Sequence, residues 1–312
     1  MIRNNIRWNV SGAFAHDDIL LALFDIAREV FDNTIFNSVH GSVPCKFNSG
    51  RRSINCSDDY IKECIREYHK RGIPLNLTFS NFMLQKEDLL DRESNRLLSM
   101  LNVGDGVIIA SDYLYEYIKK KYPHLKIISS VLTAVNSSGE RDALFYNMLS
   151  QKYDVVVIHP DDNFNTDIIY EMKEKNKFEV LVNERCIYRC PHRFEHDKLI
   201  CLESLNPNQN TAYECKVFAK TNCLAEKEKV LLKLMKAGNI KTVKLSEEEV
   251  ENLMNLGYRN FKLQGRTDSP ATFAYDLCKY LVNDEYKDIV FNAIVRNFSF
   301  LSIKDKFRKI EL

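Results

Sequence analysis

The residues of this chain whose types and spacing could do chemistry are its cysteines. Cys186 and Cys190 lie four residues apart in the stretch NERCIYRCPHRFEH, directly after the apolar run EVLVN. Thiolates gathered at the end of a strand are a common way to hold a metal ion or an iron–sulfur cluster. Other cysteines follow the pair or lie far upstream, namely Cys201, Cys215, Cys223 and Cys45. This layout favours an enzyme over a passive binding module.

The surroundings of the pair also admit other interpretations. His192 and His196 lie four residues apart, and with Cys186 and Cys190 they could form a Cys2His2 zinc site. Those four ligands fall within eleven residues, a tighter arrangement than the usual two-part zinc site, so a cluster ranks above zinc. Two incidental buried thiols are a further alternative, but the charged neighbours of the pair do not resemble a core.

The elements that must position these residues follow a regular alternation. Short apolar runs rich in β-branched residues precede amphipathic stretches eight times along the chain. The runs are 6–10, 34–39, 75–81, 106–111, 126–131, 154–160, 179–184 and 261–265. Near-continuous apolar strands separated by helices predict a parallel sheet covered by helices. Eight repeats predict a single closed (β/α)8 barrel of the TIM type over residues 1–312, with a doubly wound open sheet as the alternative.

Two segments depart from this alternation. Residues 190–240 are too long for an ordinary connection, and we predict an inserted cysteine-containing loop there. Few large apolar residues occur in it, so its order should depend on a bound metal. Residues 271–312 predict a helical C-terminal tail rather than a further domain.

In such a barrel the chemistry belongs at the carboxyl ends of the strands. There the sequence places Arg51 after strand 2, His159 after strand 6, Glu184 after strand 7 and Arg266 after strand 8. The arginines could hold an anionic ligand, since guanidinium groups bind carboxylate or phosphate through two parallel hydrogen bonds. His159 or Glu184 could move protons. The structural alternatives are salt bridges across the barrel rim and a histidine buried at the barrel mouth.

Composition indicates an ordinary globular protein. The 312 residues carry 44 Lys and Arg against 43 Asp and Glu, a net charge of +1, which gives no global attraction to nucleic acid or membrane. The chain has nine cysteines, and its start shows no apolar leader. We therefore expect a cytoplasmic protein without a membrane segment and without a secreted disulfide framework.

The chain resembles the U32 peptidase-like family in specific stretches. FKLQGRTDSPATFA is similar to the family's GR-x-x-SP signature, and LNLTFSNF is similar to its third-strand segment. GVIIASDYLYEYIKKKYPHLKIISSV is similar to its passage through strands 4 and 5. GSVPCKFNSGRR together with the later ERC most resembles the members that bind an iron–sulfur cluster. The likeness spans about residues 6–290, but the glycine- and cysteine-rich signature of the collagenase-type members is replaced by NERCIYRCPHR.

The resemblance implies a cofactor and a reaction. It implies an oxygen-sensitive 4Fe–4S cluster, and we expect its ligands to be Cys45, Cys186, Cys190 and Cys215, with Cys201 and Cys223 as open alternatives to Cys215. The implied activity is that of an oxygen-independent hydroxylase or related redox enzyme acting on an anionic small molecule or an RNA base. A metal-dependent, peptidase-like hydrolase and a non-catalytic protein partner in a larger complex are the alternatives.

Overall fold

The computed structural model describes residues 6–31, 36–49, 54–136, 141–206, 209–223, 227–238, 240–265 and 268–301. In chain order the strands and α-helices of this part are β1 (Arg7–Ser11), α1 (Asp17–Phe31), β2 (Phe36–Gly41), α2 (Asp58–Lys70), β3 (Leu75–Phe79), α3 (Arg92–Leu98), β4 (Gly106–Ile109), α4 (Asp112–Lys121), β5 (Lys126–Ser129), α5 (Val131–Val135), α6 (Ala143–Lys152), β6 (Val155–Val157), α7 (Thr166–Glu171), β7 (Phe178–Leu181), α8 (Arg193–Leu205), α9 (Gln209–Asn222), α10 (Glu228–Lys236), α11 (Glu247–Asn255), β8 (Asn260–Leu263), α12 (Pro270–Leu281) and α13 (Lys287–Leu301).

The eight strands form a closed parallel barrel in chain order. The barrel closes between β8 and β1, where Trp8 is paired with Phe261. An open sheet would leave these two strands as edges, so the prediction of a closed (β/α)8 barrel is confirmed. Among the described residues, no helix is long and apolar enough to cross a membrane.

The helix-facing side of the barrel is an aromatic and aliphatic core. Trp8 lies at its centre, with ring centroids 5.4 Å from Phe261 and 6.5 Å from Tyr280 of α12. All three side chains are fully buried. The last helix, α13, lies against α1, so the predicted helical C-terminal tail completes the outer layer of the barrel.

The interior of the barrel has two chemically different halves. Inward-facing residues of β4, β5 and β6 are aliphatic and pack together as Ile108, Ile128 and Val157. Most inward positions of the remaining strands carry polar side chains, including Asn9, Ser38, Asn76, Glu179 and Lys262. Because barrels of this type are usually filled by branched aliphatic side chains, the polar half is a distinctive property of this chain.

The polar half is held together by hydrogen bonds. Ser38 Oγ donates to Asn9 Oδ1 at 2.6 Å, and Asn76 Nδ2 donates to Ser38 Oγ at 2.9 Å. Lys262 Nζ lies 2.8 Å from Glu179 Oε1, with only 12% and 2% of the two side chains exposed. Buried charges require a partner of this kind, since an isolated ion in a barrel interior would lose its hydration without compensation.

The segment between β7 and β8 is mostly helical rather than an irregular loop. It contains α8, α9 and α10 within the range 190–240 where the sequence predicts an inserted loop. The helix α8 buries Asp197, Ile200 and Cys201, which are spaced as one face of a helix. This face packs on the barrel instead of forming a separate core. The small number of large apolar residues in the segment therefore did not indicate that it is helical.

Candidate active site at the barrel mouth

The helix α8 lies over the carboxyl ends of strands β3 to β6. Its first residue, Arg193, reaches the histidine that follows β6, with 3.1 Å between Arg193 Nη1 and His159 Nε2. Farther along, Asn81 Nδ2 donates to the carbonyl oxygen of Cys201 at 3.1 Å. The Cys201 side chain is buried with Phe82, Ala110 and Leu132. The mouth above the aliphatic half of the interior is therefore closed by α8.

The turn that carries Cys186 and Cys190 is fixed from both sides. An antiparallel bridge joins Ile187 to Thr242, and the backbone N–H of Val243 donates to the Cys186 carbonyl at 3.0 Å. Arg189 has a positive φ of 51°, which a non-glycine residue rarely adopts. Its backbone N–H donates to Asp161 Oδ1 at 3.0 Å. This reversal turns the chain back, so that Cys190 contacts Cys186.

The two thiols differ in their acidity. The hydrogen bond from Cys186 lowers the pKa of Cys190 to about 6, assisted by the backbone N–H of His192 and the positive charge of Arg193. The same hydrogen bond, together with burial, raises the pKa of Cys186 well above its ordinary value. We assign the proton to Cys186, because it lies deeper, and the thiolate to Cys190.

His159 lies at the predicted position, buried at the mouth after β6. Burial, with Arg141 and Arg193 on either side of the ring, lowers its pKa to about 2. Arg141 Nη2 lies 3.4 Å from Nδ1, which also accepts the backbone N–H of Asp161 at 3.2 Å. An imidazole held neutral in this way does not take up a proton near neutral pH. The contacts of His159 favour a role in positioning the Arg193 side chain. The proton-transfer role of His159 remains a prediction.

Glu184 supports the turn of the thiol pair. One carboxylate oxygen accepts the backbone N–H groups of Arg185 and Cys186 at 2.8 and 3.1 Å. The other accepts the side-chain amide of Gln264, which follows β8, at 2.9 Å. Glu184 thereby ties the cysteine turn to the neighbouring strand, and a role in proton transfer remains a prediction.

A cleft runs beside the thiol pair and has a cavity volume of about 70 Å³. Its polar lining includes Cys186, Cys190, His192 and Cys223, while Phe218 is part of its apolar wall. By this measure of volume, one water molecule needs about 10–15 Å³. The cleft can therefore hold a few water molecules or a small group of a ligand.

The four cysteines predicted as cluster ligands are not brought together. Cys186 and Cys190 are in contact, but Cys215 on α9 is not among the described residues that line their cleft. Cys45 is packed against the barrel core near Ser94, and burial raises its thiol pKa to about 11. Within the described ranges, no three His, Cys, Asp or Glu side chains form a group that could hold a metal ion. These residues do not fit a preformed cluster site.

The other predicted site residues have mixed outcomes. His192 and His196 both lie beside the ring of Phe218, with centroids 6.1 and 6.0 Å away, and do not form a zinc site with the thiol pair among the described side chains. Arg51 and Arg266 fall outside the described residues. Cys201 is in the apolar contact with the barrel mouth described above.

Arg193 was not predicted as functional from the sequence, and Cys223 was predicted only as an open alternative to Cys215 among the cluster ligands. Arg193 bridges the thiol turn and His159, and its Nη2 donates to the Ile187 carbonyl at 2.7 Å. Cys223 lines the thiol cleft from the end of α9. The positive charge of Arg193 next to the C-x3-C pair was a usable signal, since cationic neighbours stabilise thiolates. No comparable local signal marks Cys223.

Comparisons with known proteins agree with this architecture. No family model matches the chain. An uncharacterized protease of Methanocaldococcus jannaschii is 34% identical over 108 residues, which is 33% of this chain and 30% of that protein. A solved structure of a U32 peptidase superposes with a TM-score of 0.50 at 15% identity, covering 83% of this chain and 92% of that one. The predicted resemblance to U32 peptidases is therefore confirmed at the level of the fold, and the chain is a (β/α)8 barrel similar in fold to a U32 peptidase.

Proposed function

We propose that this protein is a thiol-dependent hydrolase that cleaves an amide or peptide bond, with Cys190 as the nucleophile. The observation that carries the proposal is the contact of Cys190 with Cys186 in a cleft at the carboxyl end of the barrel. Enzymes of this fold place their reacting groups at this end. The names of the similar proteins, a protease and a peptidase, support the same class of reaction.

The reaction uses groups that line the cleft. The Cys190 sulfur forms a bond to the substrate's carbonyl carbon, and the bond from that carbon to the leaving nitrogen then breaks. The leaving amine takes its proton from the His192 side chain, which lines the same cleft. Water then attacks the thioester, releasing the acid and returning the Cys190 thiolate, with the proton passing back to His192.

Arg193 and Glu184 prepare the cleft for this reaction. Arg193 places its positive charge beside the two sulfurs. Glu184 holds the backbone of the turn. By family resemblance, Arg51 and Arg266 orient an anionic group of the substrate.

Hydrolysis of a fluorogenic peptide library tests the proposal. We expect Cys190→Ser to abolish cleavage, while Cys223→Ser, a thiol of the same cleft, retains most of it. A peptide aldehyde should bind covalently to Cys190, as detected by mass spectrometry of the intact chain. Full activity of the Cys190→Ser variant would exclude Cys190 as the nucleophile.

An iron–sulfur hydroxylase acting on an anionic small molecule or an RNA base is the second candidate. It is supported by Cys223, because this third thiol lines the same cleft as Cys186 and Cys190. The three thiols do not form a preformed metal site in the described part of the chain, so a cluster would have to draw them together. Such a cluster would supply redox chemistry, but its fourth ligand must come from outside this cleft. Anaerobic reconstitution with iron and sulfide tests the idea. Iron uptake lost in Cys223→Ser and kept in Cys215→Ser supports the candidate, and no uptake by the wild type excludes it.

A further inference from the structure

The second thiol of the pair is not needed for hydrolysis. A thiol nucleophile requires one sulfur, and a serine hydroxyl at position 186 could donate the same hydrogen bond. Yet Cys186 lies directly against Cys190, within hydrogen-bond contact of its sulfur. Two sulfurs in contact are also the starting geometry for a covalent bond between them.

The backbone favours this contact. Arg189, with its positive φ, directs Cys190 back toward Cys186, and the bridge from Ile187 to Thr242 holds the other arm of the turn. Because a disulfide tolerates only a narrow range of Cα separations and Cβ directions, a turn clamped on both arms defines the separation of the two residues. The partners that hold the turn, Thr242 and Asp161, lie outside the four-residue spacing, so the clamp does not require a bond between the sulfurs.

The two cysteines are not equally placed. Cys186 lies deeper in the protein than Cys190, and both line the cleft. The wall of the cleft includes the aliphatic side chains of Val131 and Val135. An incoming molecule therefore meets Cys190 first, while its carbon chain can rest on apolar surface. This is the arrangement of an attacking thiol backed by a resolving thiol.

We propose that Cys186 and Cys190 form a thiol–disulfide exchange centre that reduces low-molecular-weight disulfides. In the first step the Cys190 thiolate bonds to one sulfur of the substrate, the substrate disulfide breaks, and one substrate thiolate leaves and takes a proton from water. In the second step the Cys186 sulfur, losing its proton, bonds to Cys190, and the second substrate thiol leaves with a proton. The substrate gains two electrons and two protons, and the protein gains one disulfide. This activity does not depend on the hydrolysis proposed above.

The sequence supplies a direct assay. Trypsin cleaves after Arg185, Arg189 and Arg193, so Cys186 and Cys190 fall in separate short peptides, CIYR and CPHR. After complete cleavage at Arg189 only a disulfide keeps these peptides together, and the mass of the joined pair differs from that of the uncut peptide CIYRCPHR by one water molecule gained and two hydrogens lost. The reduced protein is treated with hydroxyethyl disulfide under argon, unreacted thiols are alkylated, and the digest is analysed without reduction by mass spectrometry.

We expect the wild type to give the joined peptide and two molecules of mercaptoethanol from this site for each chain, counted above the release from a Cys186→Ser, Cys190→Ser double variant because the chain has other free cysteines. Cys186→Ser should release one molecule and keep the other half of the reagent on Cys190. Cys190→Ser should release no mercaptoethanol from this site. The matched control Cys223→Ser should behave as the wild type. Cys186→Ala serves as a second variant if the serine variant is unstable.

Three results would overturn the proposal. One is a stable mixed disulfide on Cys190 in the wild type, which would show that Cys186 does not resolve it. Another is a link from Cys223 to either member of the pair. The third is an unreacted wild type under conditions in which free glutathione is oxidised. Loss of peptide hydrolysis has no bearing on these outcomes, so the two proposals fail separately.

Discussion

The buried ion pair inside the barrel allows a quantitative test of the fold. Replacing Lys262 by Met removes the ammonium group that lies 2.8 Å from Glu179 Oε1, while the Glu179 side chain is only 2% exposed. The carboxylate would then be left inside the barrel without its partner. Breaking a buried pair in this way typically costs about 3–5 kcal/mol.

This loss can be expressed as a melting temperature. An unfolding entropy of about 2.1 cal/mol/K per residue gives about 0.65 kcal/mol/K for a chain of 312 residues. A destabilisation of about 4 kcal/mol therefore lowers the melting temperature by about 6 °C. We expect this shift in thermal unfolding followed by circular dichroism, together with a matching fall in the urea midpoint.

Two controls separate the buried pair from a general effect of removing lysine. Lys70→Met removes the same group from an ion pair with Glu67 in which the lysine is 57% exposed, and its effect should stay below about 1 kcal/mol. The double variant Lys262→Met with Glu179→Met should recover much of the loss, because neither charge remains buried. A Lys262→Met variant as stable as Lys70→Met would refute the reasoning.

Three further predictions concern the site and its support. The rate at which iodoacetamide alkylates Cys190 should reach half its maximum near pH 6, because only the thiolate reacts and the pKa of Cys190 is lowered to about 6. A midpoint near the ordinary thiol pKa of 9.0 would contradict the assignment of the thiolate to Cys190. Gly41→Ala should destabilise the protein by about 1–3 kcal/mol in urea unfolding, since the added Cβ would lie 2.4 Å from a phenylalanine ring. Gly72→Ala has open space around it and only the strain of a positive φ, so a larger loss there would contradict this ranking. Phe194→Ala should increase amide hydrogen exchange in α8 without changing exchange in β3, because it removes the stacking of Phe194 on Phe82 in the loop after β3. Unchanged exchange in α8 would show that other contacts hold the helix.

The barrel could be predicted from the sequence because its signal is local and repeated. Each apolar run identifies a strand through β-branched residues that face the helix layer, as with Val107 and Ile109 on β4. Strand ends were less accurate. The run predicted to extend to residue 160 stops as β6 at Val157, since the following residues turn to place His159 at the mouth.

The candidate site was only partly predictable, for a physical reason. The pairing of Cys186 with Cys190 follows from four-residue spacing in a turn. The proximity of Arg193 to His159, and of Cys223 to the pair, depends on how α8 and α9 pack on the barrel. Packing of this kind involves residues more than thirty positions apart and leaves no periodic trace in the sequence. The same holds for Cys45, whose distance from the pair is set by the order of strands around the barrel.

The position of α8 makes the insertion inseparable from the barrel. Its Cys201 covers Phe82, Ala110 and Leu132, which would face water if the segment were deleted or exchanged. The same helix begins with Arg193, beside the reactive turn. The packing of Cys201 on the barrel mouth therefore also fixes the Arg193 guanidinium group beside the thiol turn. The folding of the insertion and the geometry of the thiol turn are thus coupled through α8.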